Sequence, residues 1–124
     1  MKHTLFFKEA KPEEYVLLGG KGSSLASMSA ADFPVPMGFS VTTHAYAKFL
    51  EEGQLLATIL EKVSCIDCAN TDELASNSKE IRQMILDKPL PSDVENEIKA
   101  SYKKLCEKAG MPNDLPVAVR SSAT

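Results

Sequence analysis

The sequence predicts a helix-rich α/β (α+β) fold with a few short strands. Apolar residues recur at helical spacing through most of the stretch between Gln54 and Ala109, whereas strand-like alternation is confined to short runs. Glycine and proline pairs cut the chain into pieces too short for a rod. With 44% apolar residues, no Trp and only 6% aromatics, the core must come mainly from Leu, Ile, Val, Met and Ala.

Thr4 to Phe7 reads as a short edge strand, followed by a charged turn around Pro12. Tyr15-Val16-Leu17-Leu18 runs into Gly19-Gly20-Lys21-Gly22, a glycine-rich loop that opens a helix through Leu25 and Met28. Pro34 and Pro36 break that helix, and Phe39 to Thr42 alternates as a half-buried strand. Thr43 is the expected N-cap of a helix carrying Tyr46, Phe49 and Leu50 on one face, with Gly53 at its end. Gln54 to Val63 resumes helical spacing, and a polar loop covers Ser64 to Thr71. Asp72 to Leu86 is a helix capped by Thr71, with Leu74, Ile81 and Ile85 inward. Ser92 with Glu95 forms a capping box for the clearest helix, whose stripe is Val94, Ile98, Leu105 and Ala109, and Gly110 with Pro112 ends it. Leu115 to Thr124 is expected to be an apolar strand that delivers a cation and hydroxyls at its end.

A net charge of -3 without a basic block disfavours a nucleic-acid partner held through phosphates. No apolar run approaches the ~20 residues of a membrane span, and the start lacks the apolar core of a secretory signal. A cytoplasmic setting with three reduced thiols, rather than a disulfide scaffold, is the expectation. One domain, residues 1–124, is expected, with no internal repeat.

Two segments have the composition of anion sites. In Gly19-Gly20-Lys21-Gly22-Ser23-Ser24, glycines let amides face an anion, the helix adds its positive end and Lys21 a point charge. The spacing is not that of a Walker A loop, because Tyr15 and Gly22 stand where Gly and Ser or Thr are needed. The plain alternative is a helix-entry turn with a solvated lysine. In Val117-Ala118-Val119-Arg120-Ser121-Ser122, a guanidinium at a strand end can clamp phosphate oxygens while serines add donors. Its plain alternative is a strand followed by a polar turn. Cys65-Ile66-Asp67-Cys68 could be half a zinc site or a redox pair, but no paired ligands accompany it, so a surface loop is favoured. His44 is read as a first-turn residue, Met28 and Met37 as packing, and no acidic pair as a general acid and base.

Gly19 to Leu25, then Val35-Pro36-Met37-Gly38-Phe39-Ser40-Val41-Thr42-Thr43-His44-Ala45-Tyr46, and finally Val119-Arg120-Ser121-Ser122-Ala123-Thr124 resemble, in order and spacing, the N-terminal nucleotide-binding region of phosphoenolpyruvate synthase and pyruvate phosphate dikinase. Ile81 to Ile85 and the helix from Ser92 resemble the synthase branch. The resemblance implies the N-terminal subdomain of an ATP-grasp-like domain, truncated just after the arginine motif. It implies an enzyme that converts ATP, pyruvate and water to AMP, phosphoenolpyruvate and phosphate through a phosphohistidine on another domain. By motif position it assigns Lys21 and Arg120 to the ATP phosphates, with Gly20, Gly22, Ser121, Ser122 and Thr124 in support.

Magnesium is implied as a cofactor, with ligands beyond Thr124, and no metal ligand or catalytic residue is expected within the chain. His44 lacks the glycine context of the phosphorylated histidine and is rejected for that role. The fragment is expected to be inactive alone, to expose apolar surface and to be open to homodimer formation. Rifampicin phosphotransferases and phenylphosphate synthases share the pattern with other acceptors, and a non-catalytic anion-binding module is a further alternative.

Overall fold

A computed structural model describes residues 2–111 and 113–124. The chain parts into two compact units, one made of the residues up to Tyr46 with Ser92–Thr124, the other of Ala47–Pro91. The helix-rich architecture with short strands is as expected: five α-helices and one two-stranded sheet among the described residues.

In the first unit, β1 (Thr4–Phe6) pairs antiparallel with β2 (Phe39–Val41), Leu5 opposite Ser40 and Phe6 opposite Phe39. The Phe6 and Phe39 rings meet at 5.5 Å and 47°, a tilted pair that fixes the register. β1 stops at Phe6 because the chain then coils into two 3-10 turns, Phe7–Glu9 and Pro12–Leu18, in place of the expected plain turn. Pro12 suits the first position of its turn, and the Glu14 carboxylate accepts from the Lys11 amide at 3.0 Å. These turns carry Leu18 to Leu5 and Ala26, the centre of the first core, against which Phe7, Ala10, Tyr15 and Leu17 pack.

The α1 helix (Gly19–Ala30) begins inside the glycines themselves rather than after them. The α5 helix (Ser92–Lys108) lies against β1 and buries Val94, Ser101, Leu105 and Cys106. Its Glu97 carboxylate reaches across to the strand, accepting from the His3 and Thr4 amides at 2.8 Å each and from the Thr4 hydroxyl at 3.1 Å. Ser101 joins Thr4 through their hydroxyls at 2.7 Å, so a buried polar position extends the apolar stripe read from the sequence. Burial works against ionised Glu97, but the two amides, the Thr4 hydroxyl and His3 outweigh it and hold the carboxyl below its ordinary range.

Gly110, at φ +71°, ends α5. Its amide donates to Glu107 O at 3.1 Å, and the Met111 amide to Cys106 O at 3.0 Å, which together form a Schellman closure. Pro112, expected to help stop this helix, lies outside the described residues.

In the second unit, the later part of α2 (Thr43–Glu52), α3 (Leu56–Ser64) and α4 (Thr71–Leu86) enclose a small core of Phe49, Leu50 and Leu55 with Ile59, Met84 and Ile85. Lys62 and Glu80 join α3 to α4 at 2.7 Å.

Two of the expected N-caps, those of α2 and α4, move back one residue. Thr42, not Thr43, offers its hydroxyl and carbonyl to the Ala45 amide, and Asn70, not Thr71, accepts from the Glu73 amide at 3.1 Å. At the end of α2 the left-handed residue is Gln54 at φ +54°, not Gly53. Leu74 is exposed, as are Met28 and Met37, so the packing roles expected of these three are corrected. The expected final strand does not form. Residues 115–124 pair with no strand among the described residues, and Val119 is 92% exposed, because alternation alone makes no strand without a neighbour to accept its hydrogen bonds.

Candidate functional site

The first four amides of an α-helix lack partners within it. Leu18, which precedes α1, offers no side-chain acceptor, so α1 is not capped locally. The far end of the chain supplies the partners. The Gly20 amide donates to Ala123 O at 2.8 Å, and the Gly22 amide to Ser122 Oγ at 3.0 Å. The same Ser122 hydroxyl donates to Leu18 O at 2.8 Å, so one side chain bridges the two sides of the helix entry. Ser23 turns its hydroxyl back onto Gly20 O at 3.0 Å.

The glycines permit this approach. Gly19 sits at φ +67° and ψ 176°, a region essentially reserved to glycine. A Cβ there would stand 2.4 Å from Ser122 O, and one on Gly22 would stand 2.7 Å from Ser40 Oγ and 2.9 Å from Leu18 Cβ. The expected cradle of amides open to an anion is therefore corrected: at Gly20 and Gly22 the amides are engaged by the arginine-bearing segment itself. Smallness at Gly19 serves the close approach of two backbones, and at Gly22 it leaves room for the Ser40 and Leu18 side chains.

This contact brings together the two segments that sequence reading singled out a hundred residues apart. Lys21 lies exposed between the two engaged glycines, and Arg120 lies exposed two residues before Ser122. Two residues of chain span at most about 7 Å, so Arg120 Cα is held near the start of α1. Neither cation has a hydrogen bond or ion pair among the described residues. Ser121 is exposed beside Arg120.

An open groove of about 760 Å³ runs beside the start of α1, lined by Tyr15, Val16, Gly19, Gly20, Ser23, Ser24, Ser27, Met28 and Thr124. Its wall combines hydroxyl groups with exposed Val16 and Met28, which accounts for the exposure of that methionine. Lys21 and Arg120 are not among its lining residues, although each is next to or within four residues of one, Gly20 and Thr124 respectively. Tyr15, Val16, Ser27 and Ser40 were given no site role from the sequence, and nothing in local periodicity marks them for one. The double hydrogen bond of Ser122 was equally hidden, because it depends on a contact between distant segments.

No carboxylate lines the groove, and among the described residues no three His, Cys, Asp or Glu side chains are placed to share a metal ion. These residues by themselves do not fit magnesium. His44 occupies the first turn of α2. Among the described residues no helix is long and apolar enough to cross a membrane.

Comparison with known proteins follows the same segments. Residues 15–124 match the family described as pyruvate phosphate dikinase, AMP/ATP-binding domain. A probable phosphoenolpyruvate synthase of Staphylothermus marinus is 42% identical over 97% of the chain and 14% of its own length. One from Methanocaldococcus jannaschii is 41% identical over the whole chain and 10% of its own length. The phosphoenolpyruvate synthase of Helicobacter pylori is 38% identical over the whole chain and 16% of its own length. The chain thus spans less than a fifth of the curated relatives it matches. With nearly all of its length matched, and with both cation-bearing segments inside the match, the chain belongs to the pyruvate phosphate dikinase AMP/ATP-binding domain family.

Proposed function

We propose that this chain is the phosphate-gripping N-terminal part of the ATP-binding domain of a phosphoenolpyruvate synthase-like dikinase, with an ATP-grasp type of nucleotide site. The observation that carries the reading is the docking of Ser122 and Ala123 on the amides of Gly22 and Gly20. It sets two otherwise unpaired cations, Lys21 and Arg120, on touching segments close to a groove whose wall includes the hydroxyls of Ser23, Ser24, Ser27 and Thr124.

In this reading Lys21 supplies a point charge and Arg120 a planar fork to the polyphosphate. Ser121 and Thr124 add hydroxyl donors, while Gly20, Gly22 and Ser122 position the two cations. Phosphoryl transfer is catalysed mainly by placement and charge neutralisation, which this pair can provide without any nucleophile of its own. Magnesium supplies further charge neutralisation when it accompanies ATP, on ligands outside these residues. The phosphoryl group passes to a histidine elsewhere in the full-length enzyme and then to pyruvate, in a cytoplasmic reaction of ATP, pyruvate and water giving AMP, phosphoenolpyruvate and phosphate. The names of the relatives support pyruvate as acceptor. Exposed Val16, Phe33, Met37 and Val119 support association with further protein surface, including a second copy in a homodimer.

The test is ATP-dependent AMP formation by a full-length enzyme carrying this sequence, with Lys21→Ala or Arg120→Ala. Loss of a charged transition-state contact lowers the rate by about a hundredfold or more. Near-normal rates in both variants would defeat the proposal.

A further inference from the structure

The Cys65-Ile66-Asp67-Cys68 segment plays no part in the phosphate site, and its chemistry is open. Both thiols are free and exposed, whereas the remaining cysteine, Cys106, is free and buried. The two sequence readings of such a pair, half a metal site or a redox pair, separate on ligand count. A structural zinc takes four ligands, and among the described residues no group of three or more His, Cys, Asp or Glu could hold a metal ion. Two neighbouring exposed thiols without further ligands retain one chemistry together, oxidation to a disulfide.

The backbone suits closure. Three residues of fully extended chain span up to about 11 Å, and a disulfide needs Cα atoms about 4.4–6.8 Å apart. Cys65 is not extended: it follows α3 in a helical conformation, φ -91° and ψ -6°, which shortens the span to Cys68 below that limit. The hydrogen bonds of the loop are local. Ile66 donates to Val63 O at 3.4 Å, Asn70 to Asp67 O at 3.0 Å, and Ala69 to the Asp67 carboxylate at 2.9 Å. Cys65 Sγ has only the neighbouring Ser64 hydroxyl at 3.9 Å. Nothing distant has to break for the sulfurs to meet.

We propose that Cys65 and Cys68 form a reversible dithiol–disulfide site that reacts with small-molecule disulfides. The thiolate of one cysteine attacks the reagent disulfide, forming a mixed disulfide and releasing one reagent thiol. The second cysteine, as its thiolate, then displaces the other reagent thiol and closes the Cys65–Cys68 bond. The protein loses two electrons and two protons, and one reagent disulfide becomes two thiols.

The probe is glutathione disulfide, added to the native chain, followed by acid quench, mass measurement and tryptic digestion. The expected result is loss of two hydrogens from the protein, located in the single peptide of residues 63–79, with Cys106 unmodified and full reversal by a dithiol reductant. Cys65→Ser and Cys68→Ser, both at exposed positions, should each stop at one retained glutathione. Wild-type protein that retains two glutathiones, stays fully reduced, becomes linked between molecules or reacts first at Cys106 would overturn the proposal.

Discussion

Replacing Gly19 with alanine tests the contact on which the site is built. The residue is held at φ +67° and ψ 176°, and placing a side chain in that region costs about 1–3 kcal/mol. The new Cβ would also stand 2.4 Å from Ser122 O and 2.8 Å from Ser122 C, backbone atoms that no rotamer change can move aside. The segment must shift, and the Gly20 to Ala123 and Gly22 to Ser122 hydrogen bonds stretch or break. At about 0.5–1.5 kcal/mol net for each bond, the expected total is about 2–6 kcal/mol, a large share of a small domain's stability.

Gly110→Ala provides the comparison. That glycine is also left-handed, at φ +71°, but among the described residues nothing lies within 4 Å of its added Cβ, so only the backbone cost of about 1–2 kcal/mol applies. Urea unfolding followed by far-ultraviolet circular dichroism gives both losses, and amide hydrogen exchange reads the Gly20 and Gly22 bonds directly. Gly19→Ala should accelerate exchange at both amides, and Gly110→Ala at neither. Equal stability losses in the two variants, with the Gly20 and Gly22 amides still protected in both, would refute the reasoning.

Ser122→Ala strands the Gly22 amide and the Leu18 carbonyl, and should lower stability by about 1–3 kcal/mol, measured by the same urea titration. Acid should loosen the first unit through Glu97, whose folded-state pKa is depressed as described above. A depressed carboxyl stabilises the fold at pH values above its unfolded pKa, and that contribution fades as pH falls through the folded value. Glu97→Gln should therefore flatten the acid side of a stability-against-pH profile, and an unchanged slope would remove Glu97 from the account. The thiol pair adds its own forecast: once reaction with glutathione disulfide is complete, protection from alkylation should be found at both Cys65 and Cys68 of the wild-type chain, and protection that stays at one of them alone would contradict the pairing.

What the sequence revealed and what it hid divide along a physical line. Local rules located α5 at both ends: it begins at Ser92, directly after Pro91, and Gly110 closes its last turn, although Glu95 pairs with Lys99 rather than in the expected box with Ser92. The caps of α2 and α4 were displaced by one residue, since Thr42 and Thr43, or Asn70 and Thr71, are adjacent residues able to serve and only the backbone decides between them. The boundary of the second unit at Ala47 falls within α2, where no change of composition could mark it.

The last segment misled for the opposite reason. Val117-Ala118-Val119 alternates like a buried strand, yet strand formation depends on a partner, and Val119 stands almost fully exposed. At the site, the residue types of both cation segments were legible, because Lys, Arg, Gly and Ser carry their chemistry wherever they lie. The engagement of the Gly20 and Gly22 amides was not, since it is a contact between the start and the end of the chain.

The pairing of Lys21 with Arg120 on one polyphosphate is tested most directly by calorimetric titration of the wild-type chain, Lys21→Ala and Arg120→Ala with ATP, and separately with adenosine. Each charge-assisted contact is worth about 1.5–3 kcal/mol, so each variant should bind ATP about ten- to a hundredfold more weakly while its affinity for adenosine stays that of the wild type. An unchanged ATP affinity in either variant, or an equal loss for adenosine, would contradict a shared grip on the phosphates.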